Sequence, residues 1–192
     1  MSYHVYVPAA YDEEKERRFP VLYWLHGSGG GVAGLAPLAA DLDAAIARGR
    51  VPPMLVVFPN GLPNGMWCDS ADGKTPVETV VIRELIPDVD ASFRTVAAPA
   101  GRVLEGFSMG GYGAARLGFK YPELFGAVSM FGAGPLQPDF HEAPRAGEKR
   151  RDQVLAAVYG GSYDTFREQS PWEIAGRQAA ALRDGRPIRM VI

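Results

Sequence analysis

Cysteine is nearly absent: of 192 residues, only Cys68 carries a thiol. An internal disulfide is therefore excluded, and so is a metal site built from several cysteines. Histidine is almost as scarce, with 3 in the chain: His4, His26 and His141. No apolar run approaches the length of a membrane span. Neither sign of charge dominates, since 20 Lys and Arg against 22 Asp and Glu leave a formal net charge of −2. That balance gives no reason to expect a nucleic-acid partner or an anionic membrane surface. The first residues, Met1-Ser2-Tyr3-His4, lack the basic-then-apolar order of a secretory leader. This points to a cytoplasmic protein. Repeats and low-complexity segments are missing too.

What is present is core material. Hydrophobic residues make up 47% of the chain, and its length suits one domain of ordinary size. Residues 3–7 alternate as a strand does, up to Pro8. Residues 12–18 are a charge run, expected at a solvated hairpin or loop tip. Residues 19–25 (Phe-Pro-Val-Leu-Tyr-Trp-Leu) are continuously apolar, the pattern of a strand buried on both faces. Residues 35–48 place Leu35, Leu38, Leu42 and Ile46 along one helical side, and Gly49 stops them. Residues 54–58 read as another buried strand. Residues 77–89 read as a helix with a broad apolar stripe, in which Pro87 predicts a kink or a last-turn stop. Residues 127–131 and the segment from Ile188 are further strands. This alternation predicts an α/β fold: a mostly parallel sheet with helices on both faces.

Residues from about 133 to 187 break the alternation. They carry Pro135, Pro138 and Pro144, a basic cluster at Lys149-Arg150-Arg151, and short helical patterns near residues 153–159 and 173–183. An insertion between sheet strands is a usual place for a lid or a substrate-selecting cap. The basic cluster reads as a solvated helix face, and His141 as a surface or pocket-rim histidine.

The chemistry concentrates in two glycine-rich turns. Gly106-Phe107-Ser108-Met109-Gly110 reads Gly-x-Ser-x-Gly, with apolar Val103-Leu104 before it and a small-residue, helix-compatible run after it. Strand, tight turn and helix are the setting of a nucleophile elbow. Side chains at Gly106 and Gly110 would crowd the neighbouring strand and helix, and the serine hydroxyl is lifted clear on a strained turn. The helix that follows aims its first N–H groups at the space where an oxyanion would develop. The second turn, His26-Gly27-Ser28-Gly29-Gly30-Gly31, ends the strand at Leu25. Its glycines let backbone approach a ligand closely, which makes Gly27 a candidate substrate contact. A phosphate loop is the competing reading, but no Lys-Ser/Thr follows. His26 is expected to be structural rather than a base. Trp67, in the loop over residues 62–74, either lines a substrate pocket or covers the edge of the core.

With its elbow and its His-Gly turn, the chain resembles the α/β-hydrolase fold. More narrowly, it resembles the esterase family that includes feruloyl esterases, S-formylglutathione hydrolase and the mycolyltransferases. The matching pieces are Val5-Tyr6-Val7-Pro8, Leu25-His26-Gly27, Glu84-Leu85-Ile86-Pro87, Gly106 to Ala114, Tyr159-Gly160-Gly161 and Ser170-Pro171. The resemblance implies a serine carboxylic-ester hydrolase with Ser108 as nucleophile. It also implies an oxyanion hole from the backbone N–H groups of Met109 and Ser28. It further implies a catalytic Asp soon after the strand that begins at Ile188, then a His; the sequence stops at Ile192. The expectation is therefore a single incomplete hydrolase domain, 1–192, lacking C-terminal strand and triad partners and hydrolysing esters poorly. An exposed sheet edge is expected to favour a homo-oligomer. An acyltransferase using the same intermediate and a catalytically silent binding module are the alternatives. A small-molecule ester is the expected partner, with no metal and no cofactor.

Overall fold

The structure is a computed structural model and describes residues 2–30, 34–134, 148–183 and 189–191. His141 and the three prolines of the expected cap lie outside the described residues. Among the described residues six strands form one sheet: β1 (Tyr3–Tyr6), β2 (Val21–Leu25), β3 (Leu55–Pro59), β4 (Arg102–Phe107), β5 (Ala127–Phe131) and β6 (Arg189–Val191). Their spatial order is β1-β3-β2-β4-β5-β6. Only β1 runs antiparallel, against β3; the other pairs are parallel. Parallel neighbours need crossovers, and helices supply them: α1 (Ala10–Glu13), α2 (Leu35–Ala47), α3 (Val77–Val80), α4 (Ile86–Ser92), α5 (Met109–Lys120), α6 (Glu148–Tyr159), α7 (Tyr163–Glu168) and α8 (Pro171–Arg183). Among the described residues no helix is long and apolar enough to cross a membrane.

Burial follows strand position. All five residues of β3 are buried, because it has neighbours on both sides and cover on both faces. Along β2 burial alternates: Val21, Tyr23 and Leu25 are fully buried, while Leu22 and Trp24 are only partly so. In parallel register with them, Leu104 of β4 is fully buried. α5 lies on the sheet and buries Met109, Tyr112, Ala114 and Leu117. Met109 and Leu117 each contribute about 1.5–3 kcal/mol when removed from water. The stripe on α2 is weaker than its spacing suggests, since none of its residues is fully buried.

Three local expectations are corrected. The charge run at 12–18 is not all loop: Asp12 and Glu13 close α1, while residues 14–18 form the solvated loop that was expected. The strand expected from Phe19 starts at Val21, because Pro20 cannot donate into a ladder; Phe19 makes an isolated bridge to Thr95 instead. The helix expected over 77–89 is not uniform. Between α3 and α4 it widens into a π turn, Val81–Leu85, where the Ile86 N–H bonds the Val81 carbonyl. Pro87 has no N–H to return to the Arg83 carbonyl and its ring crowds that turn, so the ladder is interrupted one turn upstream of the proline. Asp69 secures the entry to α3, accepting bonds from the Thr79 N–H at 2.9 Å and its hydroxyl at 2.6 Å.

In the expected cap, α6 and α8 cover the two predicted patterns and α7 is an addition. α7 is capped by the Ser162 side chain, which accepts from the Thr165 N–H. α8 packs against α5. Arg150 of the basic cluster is exposed and donates to Asn64 at 3.0 Å.

Candidate active site

Ser108 sits between β4 and α5 with φ 56° and ψ −116°. This is a left-handed backbone that a side chain adopts at a cost of about 1–3 kcal/mol. The surroundings enforce it. Its N–H donates to the Phe131 carbonyl at 2.9 Å, and its carbonyl accepts from the Tyr112 N–H at 3.0 Å. A side chain at Gly106 would run into the Gly110 backbone, and one at Gly110 into the Leu25 and His26 carbonyls. The glycines of the motif thus let α5 start directly against the ends of β2 and β4. Ser108 is half-buried. As the first residue of α5, Met109 has an N–H without an intrahelical acceptor.

The second turn lies alongside. A Cβ on Gly27 would stand 3.3 Å from the Ser108 Cβ and 3.2 Å from the Phe107 carbonyl oxygen. The two turns meet because Leu25 pairs with Gly106 in parallel register. Ser28 is exposed, and its neighbours are pinned: the Gly29 N–H donates to the Pro63 carbonyl at 2.8 Å and the Gly30 N–H to the Gly27 carbonyl at 3.3 Å. Phe107 and Phe131, register partners at the ends of β4 and β5, are 53% and 54% exposed beside Ser108.

His26 is buried, and both of its ring nitrogens are engaged. The Gly61 N–H donates to Nε2 at 2.9 Å, which leaves the proton on Nδ1, 2.8 Å from the Gly27 carbonyl. No ring nitrogen remains to take a proton from Ser108, so the structural reading of His26 agrees with its surroundings. His4 lies in β1, opposite Phe58.

Trp67 requires a correction. It is fully buried and lines no open surface; its indole N–H donates to the His26 carbonyl at 3.2 Å. A substrate cannot reach it, and it belongs to the core. The polar network beneath the site was not anticipated from sequence. Arg116 of α5, 1% exposed, forms an ion pair with Glu78 and donates to the Gln169 carbonyl at 3.0 Å and the Trp67 carbonyl at 3.3 Å. Burial alone would raise the Glu78 carboxyl, but Arg116 and Lys120 hold it below its ordinary value. Burial raises the Cys68 thiol, which lies 3.8 Å from the Tyr159 hydroxyl. Among the described residues no group of three His, Cys, Asp or Glu is placed to hold a metal ion.

Residues 1–188 match a family model described as "Putative esterase". The chain belongs to this esterase family. A bifunctional endo-1,4-beta-xylanase/feruloyl esterase of Xylanibacter ruminicola is 35% identical over 153 residues, 74% of this chain and 21% of that protein. Esterase Rv1288 of Mycobacterium tuberculosis is 33% identical over 137 residues, 65% of this chain and 27% of that protein. The chain thus spans only 21% to 27% of the length of these relatives. Among solved structures, a ferulic acid esterase superposes with a TM-score of 0.77 at 22% identity, covering 98% of this chain and 82% of that one. An S-formylglutathione hydrolase from Agrobacterium tumefaciens superposes with a TM-score of 0.70 at 20% identity, covering 97% and 66%. At such identities the superpositions establish the fold: α/β-hydrolase, with a mostly parallel mixed sheet and flanking helices.

Proposed function

We propose that this chain carries the nucleophile and the oxyanion donors of a serine carboxylic-ester hydrolase, acting through an acyl-enzyme on Ser108. The single observation that supports this most is the backbone of Ser108, held at φ 56° between two glycines that have no room for a side chain. A serine retained on a strained turn at the head of a helix is placed to attack a carbonyl. The N–H groups of Met109 and Ser28 are the proposed oxyanion donors, aimed at charge that develops only as the tetrahedral intermediate forms. The Ser108 oxygen bonds to the carbonyl carbon as its proton passes to a base; the C–O bond to the alcohol breaks as the base returns that proton to the leaving oxygen, and water later releases the acid. Phe107 and Phe131 offer an apolar wall for the acyl group, so esters of aromatic acids are the proposed substrates. Membership of the esterase family agrees with this chemistry.

The proton of Ser108 needs an acceptor. Among the described residues, His26 has both nitrogens engaged and no imidazole bonds the Ser108 hydroxyl. The base therefore comes from outside the described residues, either His141 of this chain or a residue not among these 192. We expect turnover by the 192 residues alone to fall well below the ordinary esterase range of about 1–10³ per second. The experiment is p-nitrophenyl acetate and methyl ferulate hydrolysis by the wild type, Ser108→Ala and His141→Ala, with intact-mass detection of the acyl adduct. An adduct present in the wild type and absent in Ser108→Ala supports the reading. Equal adduct and equal hydrolysis in both overturn it. Self-association through the outer edge of β6 is a further proposal, tested by light scattering; a clean monomer at high concentration overturns it.

A further inference from the structure

We propose that Trp67 is a positioning residue: its indole sets the spacing between the His26-Gly27-Ser28 turn and the N-terminal end of α5. The inference rests on the esterase reading for its meaning, but its geometry stands alone. Among the described residues four non-glycine residues have a positive φ: Leu62, Met66, Trp67 and Ser108. One is the candidate nucleophile. The other three lie in a single loop, residues 61–68, that never touches the elbow in sequence. A bulky residue such as Trp67 at φ 54° is a costly conformation. Such strain persists only where the surroundings over-determine it, and it gathers at functional sites.

The surroundings here are specific. The loop grips the oxyanion turn at three points. The Gly61 N–H bonds His26 Nε2, the Pro63 carbonyl accepts from the Gly29 N–H, and the Trp67 indole N–H bonds the His26 carbonyl. Ser28, whose N–H is the second proposed oxyanion donor, lies between two residues held by these bonds, His26 and Gly29. On the other side the same indole presses on α5. A Cβ on Gly113 would stand 2.5 Å from Trp67 Cγ, and one on Gly61 2.5 Å from Trp67 Cη2. Arg116, further along α5, donates to the Trp67 carbonyl at 3.3 Å. The indole is thus a spacer with one side against the helix that carries Met109 and its N–H on the turn that carries Ser28. The two proposed oxyanion donors come from separate elements, and Trp67 touches each element, the turn at His26 and α5 at Gly113.

The test is Trp67→Phe, which keeps an aromatic body and removes the N–H. Misplacing a catalytic group by about 1 Å costs as much as 10²-fold in rate. The expected result is a fall in kcat of roughly 10-fold to 10²-fold with KM within about twofold. Affinity for a boronic acid that mimics the tetrahedral intermediate should fall in parallel. In ¹H–¹⁵N spectra the amides of Ser28, Gly29 and Met109 should shift together. A folded Trp67→Phe protein with unchanged kcat and unmoved amides overturns the proposal. If the wild type shows neither a Ser108 acyl adduct nor Ser108-dependent turnover, the esterase reading fails, and the amide shifts alone decide the role of Trp67. A measurement on the wild type guards against a variant that does not fold. The Trp67 indole proton should exchange slowly with solvent, and exchange at the rate of a free indole overturns the proposal.

Discussion

Replacing Arg116 by methionine removes a buried guanidinium that serves several acceptors at once. The side chain is 1% exposed, and its partner Glu78 is 4% exposed. Breaking a buried pair from one side costs about 3–5 kcal/mol, because the remaining charge is left without its partner. Two features move the figure within that range. Lys120 still lies 2.6 Å from Glu78, and the Tyr121 hydroxyl still donates to it, so the carboxylate is not fully abandoned. Against this, the carbonyls of Gln169 and Trp67 lose a donor, at about 1 kcal/mol each. The expected loss is about 4 kcal/mol, which for a chain of this size lowers Tm by roughly 8–16 °C. Lys120 is 37% exposed, so Lys120→Ala should cost under about 1 kcal/mol. Arg116→Met combined with Glu78→Leu should recover most of the loss, since an apolar pair in place of a buried ion pair is often neutral or better. The assay is urea unfolding at pH 7 followed by far-UV circular dichroism, with m compared across variants. A loss under about 1 kcal/mol for Arg116→Met, or equal losses for Arg116→Met and Lys120→Ala, would refute the ranking by burial.

Three further outcomes follow from the same geometry. Ser108→Gly should abolish any Ser108-dependent turnover yet raise stability by about 1 kcal/mol, since glycine relieves the left-handed backbone at a smaller unfolded-state cost; differential scanning calorimetry against Ser108→Ala checks it. The folded Glu78 carboxyl lies below its ordinary value of 4.5, so its contribution is present above that value and is lost as the pH falls through the folded one. Thermal melts from pH 6 downward should therefore show a drop that Arg116→Met shows less of. Glu105 has the opposite sign: burial raises its carboxyl, with a partly offsetting hydrogen bond from Ser129. Its charge is a liability at neutral pH, so Glu105→Gln should raise Tm at pH 7, and the difference should vanish in acid.

Local signals carried the elements whose meaning is local. Gly-x-Ser-x-Gly after an apolar pair and before a small-residue helix specifies the elbow, because the steric demand acts on Gly106 and Gly110 themselves. The buried strands announced themselves as continuous apolar runs. Trp67 was ambiguous because its place is decided by atoms that are missing from Gly61 in its own loop and from Gly113 far away in the chain, and the pattern around residue 67 does not record the second. Nothing in the local pattern marks Glu78 or Arg116; their pairing depends on how the elements that carry them, α3 and α5, pack. Pro87 did signal a break, but the effect falls on the turn before it, where the unmatched carbonyl lies. The loop with three left-handed residues gave no warning either, since Leu62, Met66 and Trp67 are not residues that favour positive φ.

The meeting of the two turns is a consequence of parallel pairing. β2 and β4 run side by side in the same direction, with Val21 opposite Arg102 and Leu25 opposite Gly106. Two parallel strands in register must end at the same level, so the residues after each emerge together at the carboxyl edge of the sheet. That edge is where open α/β sheets bind ligands. In an antiparallel pair, the turn after one strand would face the start of its neighbour. Ser108 and Gly27 are thus neighbours by strand register before any side chain acts, and Gly27 is close enough to Ser108 that an added Cβ would touch it. Register alone leaves the angle between the turns free. The segment 61–67 removes that freedom by bonding His26 and Gly29, and the short run of α5 glycines lets the helix close the remaining gap. Precision at this site therefore depends on backbone pairing and on one buried indole, and substitutions there should affect rate before they affect substrate affinity.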